Sequence, residues 1–492
     1  MAAERRRPER AVVVGGGLSG LAAAFRLSQA GSEVTVVEPG PLGGKLQTSL
    51  VAGRAVDETA DAFLLRVPWA LALCHDLELE GELISPVARR AELWLDGRRQ
   101  PLPTDHVMGV PTDPDALAGT GLLSAEAIAH LRAEPGLGPL PTDPDRAPGG
   151  DVTVGTYLRA RLGDEVVDRV VEPLVGGINA GDLDRLGLAA TLPQLDAAAR
   201  RPSLLDACRA QLARSRGTAS GPAGGAGGGP AGAAGSAPIF ATPLGGTARI
   251  IDGLLQFMPA VHLVTGRAAV AIEPAGTGCR VVLDDGTALD ADAAVVATPA
   301  HVAGPLLRAV APGAAATFAG LRHSSIAMVT LAVDGRAIPD RDEAASGVLV
   351  PRNQGRLVTA LSFASHKWAQ LRDPDRDDVL LRVSVGKDGD ERFADLDDHD
   401  LLAAVLADLD AVVGLRGAPT EVRIGRWPRA FPQYEPGHLA RIDAAEAELA
   451  ATPVRVAGMA LRGVGIPACV RSAEEAAASL GATWRTRRSL TR

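Results

Sequence analysis

Cysteine, lysine and tyrosine are scarce in this chain of 492 residues, and each scarcity excludes something. Cys74, Cys208, Cys279 and Cys469 stand far apart with no CxxC pair, so neither a zinc site nor a disulfide framework is expected, and four reduced thiols in a cytoplasmic protein are. Lysine occurs only at Lys45, Lys367 and Lys387. Counting arginine, 50 basic residues face 59 acidic ones for a formal charge of −9, without long one-signed blocks, which argues against nucleic acid as a partner. Two tyrosines, Tyr157 and Tyr434, leave little material for an aromatic cage around a substrate ammonium group. None of the 9 histidines falls in an HExxH pattern, and no metal is expected. The longest uncharged run, Gly217 to Ala248, is built of Gly, Ala, Pro and Ser and lacks the Leu, Ile and Val density of a membrane span. The N-terminus MAAERRRPER leads straight into a strand without an apolar h-region, so export is not expected.

What is present is a well-provisioned core, with 46% hydrophobic and 22% charged residues. Three distant segments carry nucleotide-fold patterns. Ala11 to Glu38 reads strand (AVVV), glycines, helix (LAAAFRLSQA), a turn at Gly31, then strand (EVTVVE), which is a βαβ unit. From Val261 to Pro299, short β-rich runs alternate with Gly and Asp turns, and the last (AAVV) is apolar throughout, as a buried parallel strand is. The third, PVRVAGMALRGVGIPACVRSAEEAAASL, reads as strand, glycine loop and a helix from about Pro467. Between them, Thr104 to about Arg216 is helix-rich, Ser215 to Pro238 is a low-complexity Gly/Ala tract expected to be a mobile loop, and Ser324 to Arg426 gives several strands and the helix DLLAAVLADLDAVV.

Gly15-Gly16-Gly17-Leu18-Ser19-Gly20 forms a G-x-G-x-x-G between strand and helix. Gly15 permits the tight turn, Gly17 clears space for a pyrophosphate, Gly20 lets helix and strand approach, and the helix N-terminus faces the phosphates. Glu38, 18 residues past Gly20, stands where a carboxylate receives ribose hydroxyls. These residues suit either NAD or FAD. After Pro39, the pair Gly43-Gly44 followed by Lys45 offers a second backbone turn and a cation, which favours the longer dinucleotide.

The sequence GGGLSGLAAAFRL…VVEPGPLGGKLQT resembles the flavin-containing amine oxidase superfamily. PLPTDHVMGVPTD (Pro101–Asp113), EPLVGGINAGDLDRLGL (Glu172–Leu188), FATPLGGTARIIDGL (Phe240–Leu254), RWPRAFPQYEPGH (Arg426–His438) and AGMALRGVGIPACVRSAEEAA (Ala457–Ala477) narrow the resemblance to the porphyrinogen oxidases, nearest the monoderm bacterial branch that makes coproporphyrin III. The resemblance implies an α/β fold with a Rossmann-like FAD-binding domain assembled from three segments, an α+β substrate domain with a mostly antiparallel sheet, and a helical insertion. The expected boundaries are 1–85, 238–300 and 426–492 for the FAD-binding parts, 86–103 and 301–425 for the substrate domain, 104–216 for the insertion with its potential membrane contact, and 217–237 for the flexible loop.

The resemblance further implies non-covalent FAD, contacted by Gly15 to Gly20, Glu38, Pro39, Gly43, Gly44, Lys45, Thr59, Ala60, Asp61, Ala62, Ala269, Val270, Trp427, Val464, Gly465 and Ile466. Three departures stand out: Thr59-Ala60 replaces a common Gly-Pro pair, the adenine-facing valine of relatives aligns with Ala269 beside Val270, and Met459-Ala460 occupies a place where many superfamily members have an acidic residue and its neighbour. The implied reaction is oxidation of a porphyrinogen by O2 in three two-electron cycles, with flavin N5 as hydride acceptor and peroxide as co-product. Four propionates on coproporphyrinogen III, against two on protoporphyrinogen IX, call for a more cationic pocket. Arg66 is the first candidate for that pocket, followed by Arg89, Arg90, Arg98, Arg99 and Arg429, each of which reads equally as a solvated surface arginine. An amine oxidase or desaturase on the same fold, a porphyrin carrier without turnover, peripheral membrane contact and a ferrochelatase partner stay open at this point.

Overall fold

The computed structural model describes residues 7–138, 150–218, 238–339 and 342–482. Most of the Gly/Ala-rich loop expected over 217–237 lies outside them.

The apolar runs picked out in the sequence pair as one parallel sheet of five strands. Its order is His262–Thr265, Glu33–Glu38, Arg10–Val14, Ala293–Val296, Val454–Val456. Three chain segments thus close one Rossmann-like sheet, and Ala293–Val296 is buried along its length. Helix Leu18–Gln29 covers one face. Every position from Leu18 to Leu27 is buried, and Ala22, Ala23 and Ala24 allow close packing on Ala473, Ala476 and Ala477 of helix Ile466–Ser479. An antiparallel meander of Ala269–Ala275, Gly278–Leu283 and Ala288–Ala291 lies on the other side.

A second sheet has seven strands in the order Glu421–Pro432, His323–Asp334, Asp378–Val385, Val358–Phe363, Ala345–Leu349, Arg90–Leu95, Arg98–Pro101. All neighbours are antiparallel except Ala345–Leu349 with Arg90–Leu95. Alternation sorts its side chains. Val329, Leu331, Val379, Leu381 and Val383 join Leu401, Val405 and Leu409 of helix Asp398–Val413 in one core. That helix starts on Asp397, whose carboxylate accepts the Asp400 N–H at 2.9 Å. On the opposite face, Leu93 and Leu95 join the helical body.

Within that body, Thr153 caps helix Val154–Leu162 through a bond from the Thr156 N–H at 3.0 Å, and Gly163 at φ 82 ends it. The helical run then resumes at Asp164, passes through a π turn over Val167–Val171 and continues as Glu172–Asn179. Pro173 explains the wide turn, since proline cannot donate the α-helical bond.

Packing departs from the expected boundaries twice. Helices Ala300–Leu307 and Pro312–Ala319 share a core with Val12, Val14 and Val296 of the parallel sheet rather than with the seven-stranded one. Conversely, Glu421–Pro432 crosses residue 425 as a single strand of the seven-stranded sheet.

Candidate active site

The two glycine turns come together. Gly43 donates its N–H to the Gly16 carbonyl at 2.8 Å, and Gly17 bridges Gly43. Glu38 at the strand end accepts from Gly16 N–H at 2.7 Å and Gly40 N–H at 2.8 Å, so its carboxylate is fixed beside the loop, while Pro39 is exposed. A Cβ on Gly20 would lie 1.8 Å from the Gly15 carbonyl oxygen, whereas one on Gly17 would meet only Gly44 Cα at 3.8 Å. Gly20 therefore serves the protein's own packing, and Gly17 keeps an open cradle. The helix begun at Leu18 has no side-chain cap and no acidic residue in its first turn, which leaves its amides for an anion. Ser19 is not available, since its hydroxyl donates to the Cys469 carbonyl at 3.2 Å.

Lys45 lies next to this cradle. Burial lowers its pKa, and among the described residues no carboxylate pairs with it. His301 and His323 meet edge to face at 5.2 Å; burial lowers both pKa values, that of His323 to about 4, with Lys45 and Arg429 adding repulsion. Lys45 and Arg429 make this side of the site cationic, and no acid among the described residues forms an ion pair with Lys45. Trp427 Nε1 and Thr298 Oγ1 are buried and lack hydrogen-bond partners. An open cradle, unfilled amides, an unpaired cation and orphaned donors fit a phosphate-bearing dinucleotide such as FAD.

The Thr59–Ala62 stretch is lashed into place. Thr59 Oγ1 donates to the Lys45 carbonyl, Thr247 Oγ1 donates to the Ala60 carbonyl at 3.1 Å, and Arg382 donates to the Thr59 carbonyl. Asp61 turns toward the seven-stranded sheet, accepting from Lys367 Nζ at 2.8 Å and Trp368 Nε1 at 3.1 Å, with Arg382 at 3.1 Å. Burial alone would raise the Asp61 carboxyl; Lys367 and Arg382 outweigh it and hold the group well below the usual carboxylate range. Ala269 is half-buried, Val270 exposed, and Val464, Gly465 and Ile466 lead into the last helix with Gly465 at its N-cap.

Arg382 also lies in a cleft on the sheet. The cross-strand row Thr330, Arg382, Ser362, Gly347, Ala91 runs over five strands, and Met328, Ser384 and Ala360 form the next row. Large side chains are absent from the middle, so the floor is flat. Leu93 and Leu95 lead into the helical body at one end, Trp368 and Leu380 pack with Val51 and Val56 at the other, and Ile326 packs with Ala180, Ala430 and Trp427 near the dinucleotide loops.

The arginines singled out in the sequence are scattered. Arg98 and Arg99 sit on the edge strand opposite Glu421–Pro432, six strand spacings or about 29 Å from Trp427's strand. Arg99 faces Glu92 at 3.5 Å, and Arg90 pairs with Asp342. Arg89 is exposed and bonds the Pro86 carbonyl at 3.2 Å. Arg66 is exposed and takes no ion pair among the described residues. Arg429 is exposed at φ 48, its N–H held by Ser325 Oγ at 3.2 Å. The basic groups actually in the cleft, Lys367 and Arg382, were missed; the rarity of lysine was the one signal pointing to Lys367. The thiols are buried and free, and burial raises Cys74 and Cys208 to about 12. Among the described residues, no helix is long and apolar enough to cross a membrane.

Comparison with known proteins agrees with this geometry. The family described as flavin containing amine oxidoreductase matches residues 18–480. A coproporphyrinogen III oxidase of Mycobacterium tuberculosis is 35% identical over 480 residues, covering 96% of this chain and 97% of its own. One of Bacillus subtilis is 31% identical over 469 residues, covering 93% and 95%. A crystal structure of a provisionally named protoporphyrinogen oxidase from Exiguobacterium sp. 255-15 superposes with a TM-score of 0.80 at 29% identity, covering 96% and 98%. With the dinucleotide loops assembled as the fold requires, the chain belongs to the flavin containing amine oxidoreductases and is an FAD-dependent oxidoreductase.

Proposed function

We propose that this enzyme oxidises coproporphyrinogen III to coproporphyrin III, consuming three O2 and releasing three H2O2 for six electrons. The observation that carries the reading is the flat floor of Ser362, Gly347, Ser384 and Ala360 beside the dinucleotide loops, a shape suited to a broad macrocycle. FAD supplies the two-electron acceptor that O2 can reoxidise. Gly15 to Gly20 and Lys45 would hold its pyrophosphate, Glu38 a ribose, and Thr59–Ala62, Trp427 and Val464–Ile466 the redox-active end, with Ala269 and Val270 on the adenine side. The chain's own task is to orient the macrocycle and exclude water. Arg382 and Lys367 border the floor, and Arg66 and Arg429 are the exposed arginines left to meet propionates at its rim.

An aromatic cage for an amine has no support, because Tyr157 lies in the core of the helical body and Tyr434 is only 2% exposed. Protoporphyrinogen IX is the second reading, supported by the Exiguobacterium relative. On the main reading the FAD-binding domain comprises residues 1–85, 238–300 and 426–492, adjusted for the two packing departures above. The enzyme works in the cytoplasm, and a ferrochelatase is the chemically matched recipient of product.

The test is aerobic turnover of purified holoenzyme with each porphyrinogen, read by porphyrin fluorescence and peroxide. Preference for coproporphyrinogen III with one peroxide per two electrons is expected. Turnover of protoporphyrinogen IX alone would move the enzyme to the second reading, and a flavoprotein that oxidises neither would overturn both.

A further inference from the structure

A turn that faces a cofactor needs something other than the cofactor to hold it. Between strand Val454–Val456 and helix Ile466–Ser479 the backbone passes through Gly458 at φ 125 and Gly463 at φ 136, so both ends of the intervening turn have glycine's freedom. Within the turn, the Leu461 N–H reaches the Gly458 carbonyl at 3.3 Å. The Gly458 N–H donates to Ser472 Oγ at 2.9 Å and the Arg462 carbonyl accepts from Arg471 at 3.1 Å, while three further backbone groups of the turn go to the segment Gln433–His438. The Tyr434 hydroxyl accepts the Gly463 N–H at 3.0 Å and donates to the Met459 carbonyl. The Leu461 carbonyl accepts from His438 Nε2 at 2.8 Å. A carbonyl can only accept, so His438 carries its proton on Nε2; its Nδ1 is buried and unpartnered. The rings of Tyr434 and His438 stack at 4.3 Å, and the two residues are 2% and 0% exposed.

The same segment also grips the end of helix Glu172–Asn179 and the start of strand His323–Asp334, whose Met328 lines the cleft. Gln433 Nε2 donates to the Asn179 carbonyl at 3.2 Å and to Ser324 Oγ at 3.0 Å. The Gly187 N–H donates to the Tyr434 carbonyl at 2.6 Å. Next to Asn179, Ala180 sits at φ 44 against Ile326, Ala430 and Trp427.

The geometry points to Tyr434 as a positioning residue that sets the Met459–Gly463 turn in register with the cleft, supported by His438 and Gln433. A hydroxyl is suited to this because one oxygen both donates and accepts, closing a turn between a C=O and an N–H four residues apart. This inference rests on the reading of the turn as flavin-facing.

Tyr434→Phe keeps the ring stack and removes only the bridge. In the FAD-free chain, the Gly463 amide is expected to exchange hydrogen about tenfold faster, the effect of losing one net hydrogen bond. FAD is expected to bind about tenfold more weakly with a shifted flavin absorbance band, and kcat to fall about tenfold with KM within about twofold. Tyr157→Phe, buried in the helical body, is the control expected to change none of these. Wild-type exchange, FAD affinity and flavin spectrum in Tyr434→Phe would overturn the inference. If Tyr434→Phe does not fold, the comparison moves to His438→Gln, which keeps an N–H donor, and His438→Leu, which does not. FAD affinity retained by the first and lost by the second supports the inference, and equal affinity overturns it. A wild-type holoenzyme that binds FAD but oxidises no porphyrinogen would sink the proposed function while leaving the exchange and affinity results to decide this one.

Discussion

Gly17 and Gly20 lie three residues apart in one loop, yet a methyl group would meet different surroundings at the two positions. At Gly17 the nearest neighbour is 3.8 Å away, and its φ of −77 suits any residue. Gly17→Ala is therefore expected to leave the unfolding free energy of the FAD-free protein within about 0.5 kcal/mol while weakening FAD at least about tenfold by filling the cradle. Gly20→Ala drives a carbon into the Gly15 carbonyl at 1.8 Å and is expected to cost about 1–3 kcal/mol even without cofactor. Denaturant unfolding and FAD titration of the two variants check this, and equal unfolding midpoints would contradict it. Asp61 makes a second residue-scale case. Asp61→Asn strands Arg382, 5% exposed, and Lys367 without their carboxylate. The expected loss at neutral pH is about 3 kcal/mol, the low end for a broken buried pair because Asp61 keeps some exposure. Because the folded-state pKa is depressed, this stabilisation is full above the unfolded value of about 3.9 and fades as pH falls toward the folded one. The gap between wild type and variant should thus stay constant from pH 6 to about 8 and narrow below about pH 4; a gap that widens in acid would exclude the assignment.

At the scale of elements, helix Leu18–Gln29 is joined to two others through one buried cation. Arg26 is 0% exposed and pairs with Asp76 at 2.7 Å and, through Nε, with Glu474 at 2.8 Å. Burial raises the Glu474 pKa despite that partner. Arg26→Met would leave two carboxylates facing each other in the core, at an expected cost of about 3–5 kcal/mol at pH 7. In the variant the Glu474 carboxyl, already raised by burial, loses the cation that offsets it and rises further, so the folded state takes up a proton and stability grows as pH falls from 7 to about 5, opposite in sign to Asp61. Thermal unfolding across that range is the measurement, and a flat profile would exclude the pairing. Elements also differ in how openly the sequence declares them. The βαβ unit was legible because an apolar run, a glycine turn and a buried helix lie within thirty residues of one another. Glu421–Pro432 was split at residue 425 because RWPRAFP carries prolines and arginines. It is an edge strand, where Pro428 is exposed and removes no ladder bond. Helices Ala300–Leu307 and Pro312–Ala319, AHVAGPLL and PGAAATFA, are short and made mostly of small or apolar residues, so their pattern does not say which core they join.

The whole molecule makes the cleft, and no single element does. Its floor draws on five strands between residues 90 and 385, with the flavin-loop side closed by Asp61 and Trp427 from still more distant segments. This explains why the proposed substrate floor was illegible in sequence: Ser, Gly and Ala carry no hydrophobic period, and their value lies in what is absent above them. Arginine by itself was a blunt guide, since many among the described residues neutralise nearby carboxylates, as Arg90 and Arg99 do. The floor makes a prediction of its own. Ser362 lies mid-row between Arg382 and Gly347, its hydroxyl on the Ser346 carbonyl at 3.3 Å. Ser362→Leu adds branched carbon to the open face without entering the core beneath, where Leu361 and Phe363 point. It should therefore raise KM for coproporphyrinogen III about tenfold or more, leaving FAD affinity, the flavin spectrum and peroxide yield per turnover as in wild type. Tyr434→Phe should show the reverse split, with kcat and FAD affinity reduced and KM held. If Ser362→Leu instead released FAD or left KM unchanged, the macrocycle would have to bind elsewhere than on this sheet.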